Sequence, residues 1–340
     1  MPEPLATIVA VPRERFGLTR RALEAIYANT AGAFELVYVD GGSPARIRRY
    51  IAAEARARGF TLVRTDRYLT PNEARNLGLR HVRTRYVVFI DNDVVPAPGW
   101  LDRLVVCAET TGAWIVGPLY FIGEPEREVI HMAAGDARIE ERPTGRRFVE
   151  RHHFAGQRAA EVRPLLERQP CEQVEFHCML VRAEVFERLG PLDEGLRSVA
   201  EHSDLCMLAR RHGGDVYFEP EAAVTYVTTG RFGLADYAYF FRRWSEAWTE
   251  ASIERFREKW ELPPGEAAGM EASARFAQEH RRIPFRLTLR ALERVFGPRW
   301  GRWLGRDVLL GLERRVNRWW VPPLPHAGPP APHVPARARH

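Results

Sequence analysis

The sequence predicts an α/β fold: a mostly parallel sheet flanked by helices, followed by a C-terminal helical appendage. Three observations carry this. Strand-like and helix-like segments alternate through the N-terminal third, the signature of a parallel sheet with helices on its faces. The run Tyr86-Val87-Val88-Phe89-Ile90 is apolar without interruption, as suits a strand buried on both faces. That strand ends abruptly in Asp91-Asn92-Asp93, and ligands of open α/β sheets bind beyond the carboxyl ends of strands.

Composition sets the frame. The chain has 340 residues, 45% hydrophobic and 28% charged, enough for one large or two smaller globular domains. The N-terminus lacks a basic region followed by an apolar core, and no apolar stretch is long enough to span a bilayer. Four cysteines (Cys107, Cys171, Cys178, Cys206) show no paired spacing, so free thiols in a reducing cytoplasm are expected. Lys259 is the one lysine among 50 basic residues, a skew that genome composition or a hot habitat produces equally well. The net charge of +6 is unevenly placed. Residues 281–340 carry 13 Arg against three acids, +10, and residues 1–280 carry 37 basic and 41 acidic residues, −4. The basic character therefore belongs to the appendage.

Taken in order, Ala6–Val11 reads as a first strand closed by Pro12. Thr19 is placed to cap a helix with an apolar face of Leu23, Ile26 and Tyr27. Phe34–Val39 is a second strand, ending at Asp40-Gly41-Gly42-Ser43-Pro44. Ser43 suits an N-cap and Pro44 a first helical residue, for a helix to Arg58 stopped by Gly59. Thr61–Arg64 is a short third strand. Thr70-Pro71-Asn72-Glu73 is a capping box that starts the helix carrying Arg75 and Asn76. The Tyr86–Ile90 strand follows, then Ile115-Val116.

The chemistry gathers at strand ends. Asp91 and Asp93, two positions apart, repel unless solvated or bridged by a cation, and hard ions such as Mg²⁺ or Mn²⁺ take oxygen ligands and bridge to phosphates. Asp40 is placed to accept from a base or ribose, or to bond its own turn. Arg75 is placed to pair with a diphosphate, or to be a solvated helix residue.

These residues carry a resemblance. Val11-Pro12, Val39-Asp40-Gly41-Gly42-Ser43, Ala74-Arg75-Asn76-Leu77-Gly78, Phe89–Leu101, Met179–Glu194, Glu201-His202-Ser203-Asp204-Leu205 and Gly214–Ala222 resemble, in order, the blocks of the family 2 glycosyltransferases with the GT-A fold. The resemblance spans roughly residues 5–227. It implies a Rossmann-like sheet and inverting transfer of a sugar from a nucleotide-diphosphate donor, a UDP-sugar first, to a saccharide, lipid-linked or small-molecule acceptor. It also implies Mg²⁺ or Mn²⁺ on Asp91 and Asp93, with Val11, Pro12, Asp40, Arg75, Asn76 and Asn92 on the donor. The implied organisation is a nucleotide-sugar half over 1–115, an acceptor and catalytic half over 116–265, the basic appendage over 266–320 and a Pro-rich, disordered tail over 321–340.

Two departures stand out. Where the family commonly has Glu-Asp, with Asp as base, this chain has Glu201-His202. His202 at a helix N-terminus is disfavoured as imidazolium, so a neutral imidazole is one base; Glu201 and Asp204 are the others. Tyr226 stands where many relatives have a metal-binding His, so water or another side chain fills that position. His152-His153 reads as solvated loop, and Val174–Val181 as a strand returning to the core, with Glu175 or His177 facing the site or serving structure.

Beyond 230 the pattern is helical. Residues 281–320 hold 11 Arg and four of nine Trp, with Phe285, Leu289, Leu292, Val295 and Phe296, then Leu309, Leu312 and Val316, at helical spacing. Such helices cover the catalytic domain, lie on an anionic membrane at its inner face, or bind a protein; nucleic acid is not expected. Two other readings compete: a nucleotidyltransferase, for which Pro12–Gly17 offers one Gly where a phosphate loop needs several, and a non-catalytic nucleotide-sugar binder.

Overall fold

The computed structural model describes residues 3–143, 145–230 and 232–321. Twelve strands are present among them: β1 (Ala6–Val11), β2 (Glu35–Gly41), β3 (Thr61–Thr65), β4 (Tyr86–Asp91), β5 (Val94–Pro96), β6 (Ile115–Ile122), β7 (Ile130–Met132), β8 (Gly135–Arg142), β9 (Gly145–His152), β10 (Gln169–Pro170), β11 (Cys178–Arg182) and β12 (Val216–Tyr226). The helices are α1 (Thr19–Asn29), α2 (Ala45–Arg58), α3 (Pro71–Leu79), α4 (Trp100–Thr111), α5 (Ala159–Val162), α6 (Glu184–Leu189), α7 (Glu201–Arg211), α8 (Leu234–Arg243), α9 (Glu246–Lys259), α10 (Glu271–Arg281), α11 (Arg286–Trp303) and α12 (Leu310–Trp320). The Pro-rich tail of the sequence reading lies, from 322 on, outside the described residues.

The main sheet runs β3-β2-β1-β4-β11-β6-β12-β10, with β5 on β12 and β7 on β6. β3, β2, β1 and β4 are parallel, β12 runs parallel to β6, and β11 lies antiparallel between β4 and β6. β8 and β9 form a separate hairpin. Every residue of β1 and β4 is buried, as their predominantly apolar sequences require when helices cover both faces. The register sets Val11 opposite Asp91, so the ends of β1 and β4 meet.

Local signals hold at two of the four helix ends that the sequence marks. The Thr70–Glu73 capping box forms, with the Thr70 amide donating to Glu73 at 2.7 Å, and Gly59 ends α2 in the left-handed region at φ 76°. A Cβ at Gly78 would stand 2.2 Å from Val9 Cγ1, so α3 lies against β1 at a distance only glycine permits. That contact fixes the height of Arg75 over the strand ends. Two predicted caps are not made. Thr19 is already helical and its hydroxyl accepts from Asn92 and Tyr38, while Pro44 stands at the N-cap of α2 and the buried Ser43 hydroxyl has no partner. At Thr19 tertiary burial redirects a hydroxyl that the local pattern assigns to the backbone, and at Ser43 it leaves the hydroxyl without a cap to make.

The C-terminal region is helical. α11 breaks at Gly297 (φ 77°) and Pro298, and a Cβ at Gly301 or Gly305 would collide with Glu293 or Leu289. The two halves of α11 thus fold back on one another through glycine. Among the described residues no helix is long and apolar enough to cross a membrane.

Candidate active site

The site lies beyond the carboxyl ends of β1 and β4. Asp91 is buried and touched by three cationic or polar groups: Arg75 Nη2 at 3.3 Å, Arg13 Nε at 3.6 Å and His177 Nδ1 at 3.2 Å. Burial opposes its charge, but His177 and the two arginines outweigh this and hold its pKa below the ordinary carboxylate value. Asp93 differs. It is fully buried, and neither carboxylate oxygen has a hydrogen-bond partner. Burial, then Glu14 and Asp91, push its pKa well above the ordinary range. A buried carboxylate left without donors is costly unless protonated or bound to a cation.

His177 completes the group. Asp91, Asp93 and His177 each offer a ligand atom, all within 4.8 Å of one another. Burial and Arg13 push the His177 pKa down to about 4, so the imidazole is neutral and able to ligate near neutral pH. Tyr226 lies on the His177 ring, centroids 4.2 Å apart. The imidazole of His177 thus lies between the Tyr226 ring and the two aspartates. His177 precedes β11, and its carbonyl accepts from the Asp91 amide at 3.2 Å. An antiparallel neighbour of β4 delivers it.

Beside this group opens a cavity of about 490 Å³. Arg13, Arg75, His177, Glu201, His202 and Arg243 are in its wall. Ala200, at φ 67°, takes the left-handed region at a cost of roughly 1 kcal/mol. It turns the chain so that Glu201 and His202 open α7 towards the cavity. Glu201 accepts from Arg243 at 3.2 Å, and Arg243 also donates to the Ser198 carbonyl at 2.5 Å. His202 Nε2 lies 3.3 Å from Glu150 Oε1, and Glu150 also accepts from Ser203 and Gln173. Burial opposes the imidazolium, but the Glu150 hydrogen bond and the charge of Glu175 prevail and raise the His202 pKa. The direction is opposite to that of the helix terminus alone, because nearby carboxylates outweigh a terminal dipole.

Other predicted residues sit elsewhere. Asp204 accepts from Lys259 at 2.7 Å and Trp260 at 2.9 Å, and lies outside the cavity wall. Asn76 is bound to the backbone of Leu192 through both its amide and its carbonyl. Asn92 accepts from the Arg13 amide and donates to the Arg15 carbonyl and Thr19 hydroxyl. Both asparagines thus hold loops around the site. Asp40, at the end of β2, accepts from the Ser43 amide and pairs with Arg64, the turn role weighed above. The Pro12 carbonyl accepts from Tyr239 at 3.2 Å, and the Asn92 amide donates to the Val11 carbonyl at 2.9 Å.

Sequence reasoning also missed residues. His152 is not in a solvated loop; it ends β9 and faces Glu175 at 3.7 Å, inside the cavity wall with His131 and Glu150. Residues of the 266–320 segment reach the cavity: Ala272, Ser273, Phe276 and His280 of α10, then Ile283 and Arg286, close one side of it.

Comparison with known proteins gives the family. The profile described as Glycosyl transferase family 2 matches residues 8–190, more than half of the chain. This chain belongs to glycosyltransferase family 2. The family 2 chain is 27% identical over 242 residues to an uncharacterised protein, y4gI, of Sinorhizobium fredii, covering 68% of this chain and 25% of that protein. It is 30% identical over 158 residues to the pre-mycofactocin glycosyltransferase of Mycobacterium tuberculosis, covering 46% of this chain and 30% of the relative. It thus spans under a third of the length of these relatives. A crystal structure of GalNAc-T7 with UDP, GalNAc and Mn²⁺ superposes with a TM-score of 0.50 at 17% identity, covering 82% of this chain and 54% of that one. The fold of the family 2 chain is GT-A.

Proposed function

We propose that this glycosyltransferase moves a sugar from a nucleoside-diphosphate donor, a UDP-sugar, to an acceptor hydroxyl with inversion and with the help of Mg²⁺ or Mn²⁺. The observation that carries the reading is Asp93, fully buried with both oxygens unpartnered beside Asp91 and His177. Two carboxylates and one neutral imidazole fit a divalent ion, and Mn²⁺ accepts that mixed oxygen and nitrogen set. When bound, the ion neutralises charge developing on the leaving diphosphate.

The chain's own residues do the rest. Arg13 and Arg75, both beside Asp91 and both in the cavity wall, present guanidiniums to the diphosphate. Asp40 at the end of β2 and its partner Arg64 on β3 mark the edge for the base. The acceptor oxygen attacks the anomeric carbon, the bond to the diphosphate oxygen breaks, and the hydroxyl proton passes to His202. Glu150 orients that imidazole as a carboxylate orients a catalytic histidine elsewhere. Glu201 stays with Arg243.

A thermal-shift series tests the donor. UDP with Mn²⁺ should raise the melting temperature more than UDP or Mn²⁺ alone, and more than other nucleoside diphosphates with Mn²⁺. A ligand at 100 times its Kd stabilises by about 2.7 kcal/mol. Equal shifts for all bases, or no dependence on Mn²⁺, would sink the reading.

The appendage serves placement of the enzyme. Val295, Phe296, Trp300, Trp303, Val316 and Trp319 are all exposed on α11 and α12, among the arginines of residues 281–320. Exposed aromatics with arginines suit an anionic bilayer surface. The chain should sediment with vesicles containing phosphatidylglycerol and stay free of pure phosphatidylcholine vesicles. Each Arg contributes about 1 kcal/mol, so binding should fall steeply with salt. Equal partition to both vesicle types removes the membrane role.

A further inference from the structure

A second group of ligating side chains lies in the same cavity. His131 comes from β7, His152 from the end of β9, and Glu175 from the segment before β11. His131 Nε2 is 3.0 Å from Glu175 Oε2, and His152 Nε2 is 3.7 Å from Glu175 Oε1. One ligand atom from each lies within 4.8 Å of the others. Donors about 2.0–2.2 Å from a tetrahedral ion stand roughly 3.4 Å apart, so the observed spacings bracket what one ion requires. The two imidazole rings meet edge to face with centroids 5.7 Å apart.

The cluster is built rather than incidental. Glu175 is buried, and its Oε2 accepts no well-aligned hydrogen bond despite its closeness to His131. The backbone of Glu175 is clamped by Tyr120, whose hydroxyl donates to the Glu175 carbonyl and receives the Glu175 amide, both at 3.0 Å. All three residues are in the wall of the cavity, which leaves a fourth position open to solvent or ligand. Three protein ligands with one open position is the arrangement of non-structural zinc sites.

We propose that His131, His152 and Glu175 form a second cation site, separate from Asp91 and Asp93, that takes a borderline transition ion such as Zn²⁺. Two imidazoles and one carboxylate favour Zn²⁺, Co²⁺ or Ni²⁺ over Mg²⁺, whereas the aspartate pair suits harder ions. The inference does not depend on the donor chemistry proposed above. The site lies on the side of the cavity that holds His202 and Glu150; His152 Nε2 is 4.0 Å from Glu150 Oε1, so the same wall carries the ion and the proposed base. An ion there would set its open position against whatever occupies the acceptor side.

The test is metal titration of the full chain, free of any affinity tag. Zn²⁺ is titrated calorimetrically in excess Mg²⁺, and Co²⁺ binding is followed by its visible absorption. The wild type should take up one Zn²⁺ that excess Mg²⁺ does not displace. The double variant Asp91→Asn, Asp93→Asn should keep that equivalent. His131→Ala and His152→Ala should each weaken it at least about tenfold and change the Co²⁺ spectrum, with circular dichroism confirming the fold. His152→Gln serves if the alanine variant fails to fold. Loss of the equivalent in the aspartate double variant, or its survival unchanged in the histidine variants, overturns the proposal.

Discussion

Exchange of Asp93 for Ala is expected to abolish Mn²⁺-dependent donor binding and to lower turnover by about 10²–10⁴-fold, a loss of roughly 3–5 kcal/mol of transition-state stabilisation. The structure gives this residue no other task. Its carboxylate accepts no hydrogen bond, while its main-chain carbonyl receives the Val227 amide at 2.9 Å and survives the change. The metal-free variant should therefore be at least as stable as the wild type, because a buried carboxylate next to Asp91 and Glu14 is removed. Asp91→Ala should cost similar activity but some stability, since Arg75, Arg13 and His177 all lean on it. Calorimetric Mn²⁺ titration, denaturant melts in chelator and steady-state rates separate these effects. Full wild-type activity in excess chelator, or a fully active Asp93→Ala, would falsify the metal assignment.

His202→Ala is expected to lower kcat by about 10²–10⁴-fold and leave the affinity for the nucleotide within a few-fold. The pH profile carries the diagnostic sign. Only the unprotonated imidazole accepts a proton, so the rate should fall as pH drops through the His202 pKa. That pKa is raised by the Glu150 hydrogen bond and by Glu175 against the cost of burial. Glu150→Gln removes a raising charge, so the acidic limb should move to lower pH while activity persists. Glu201→Gln should weaken the contact to Arg243 and cost less than His202→Ala. The reverse order, with Glu201→Gln inactive and His202→Ala active, assigns the base to Glu201. A product that keeps the donor's anomeric configuration removes direct displacement altogether.

The sequence by itself determined the framework on which this site is built. Apolar runs produced β1 and β4, Gly59 and the Thr70–Glu73 box bounded α2 and α3, and the blocks around Asp40, Arg75 and Asp91 pointed to family 2. These are local properties, set by period, caps and spacing along the chain. What only the tertiary structure decided is which distant residues share a space. His177 reaches Asp91 because β11 runs antiparallel to β4 with Cys178 opposite Ile90, a pairing that no linear spacing encodes. Glu150 and His152 face Glu175 and His202 because β9 brings them there, and Asp204 is withdrawn by Lys259 and Trp260 from a different helix. Helix α10 walls the cavity although its sequence reads as part of an appendage. Side-chain chemistry at a site depends on distances of a few ångströms across strands and helices, and those are fixed by packing of the whole core, not by any segment alone.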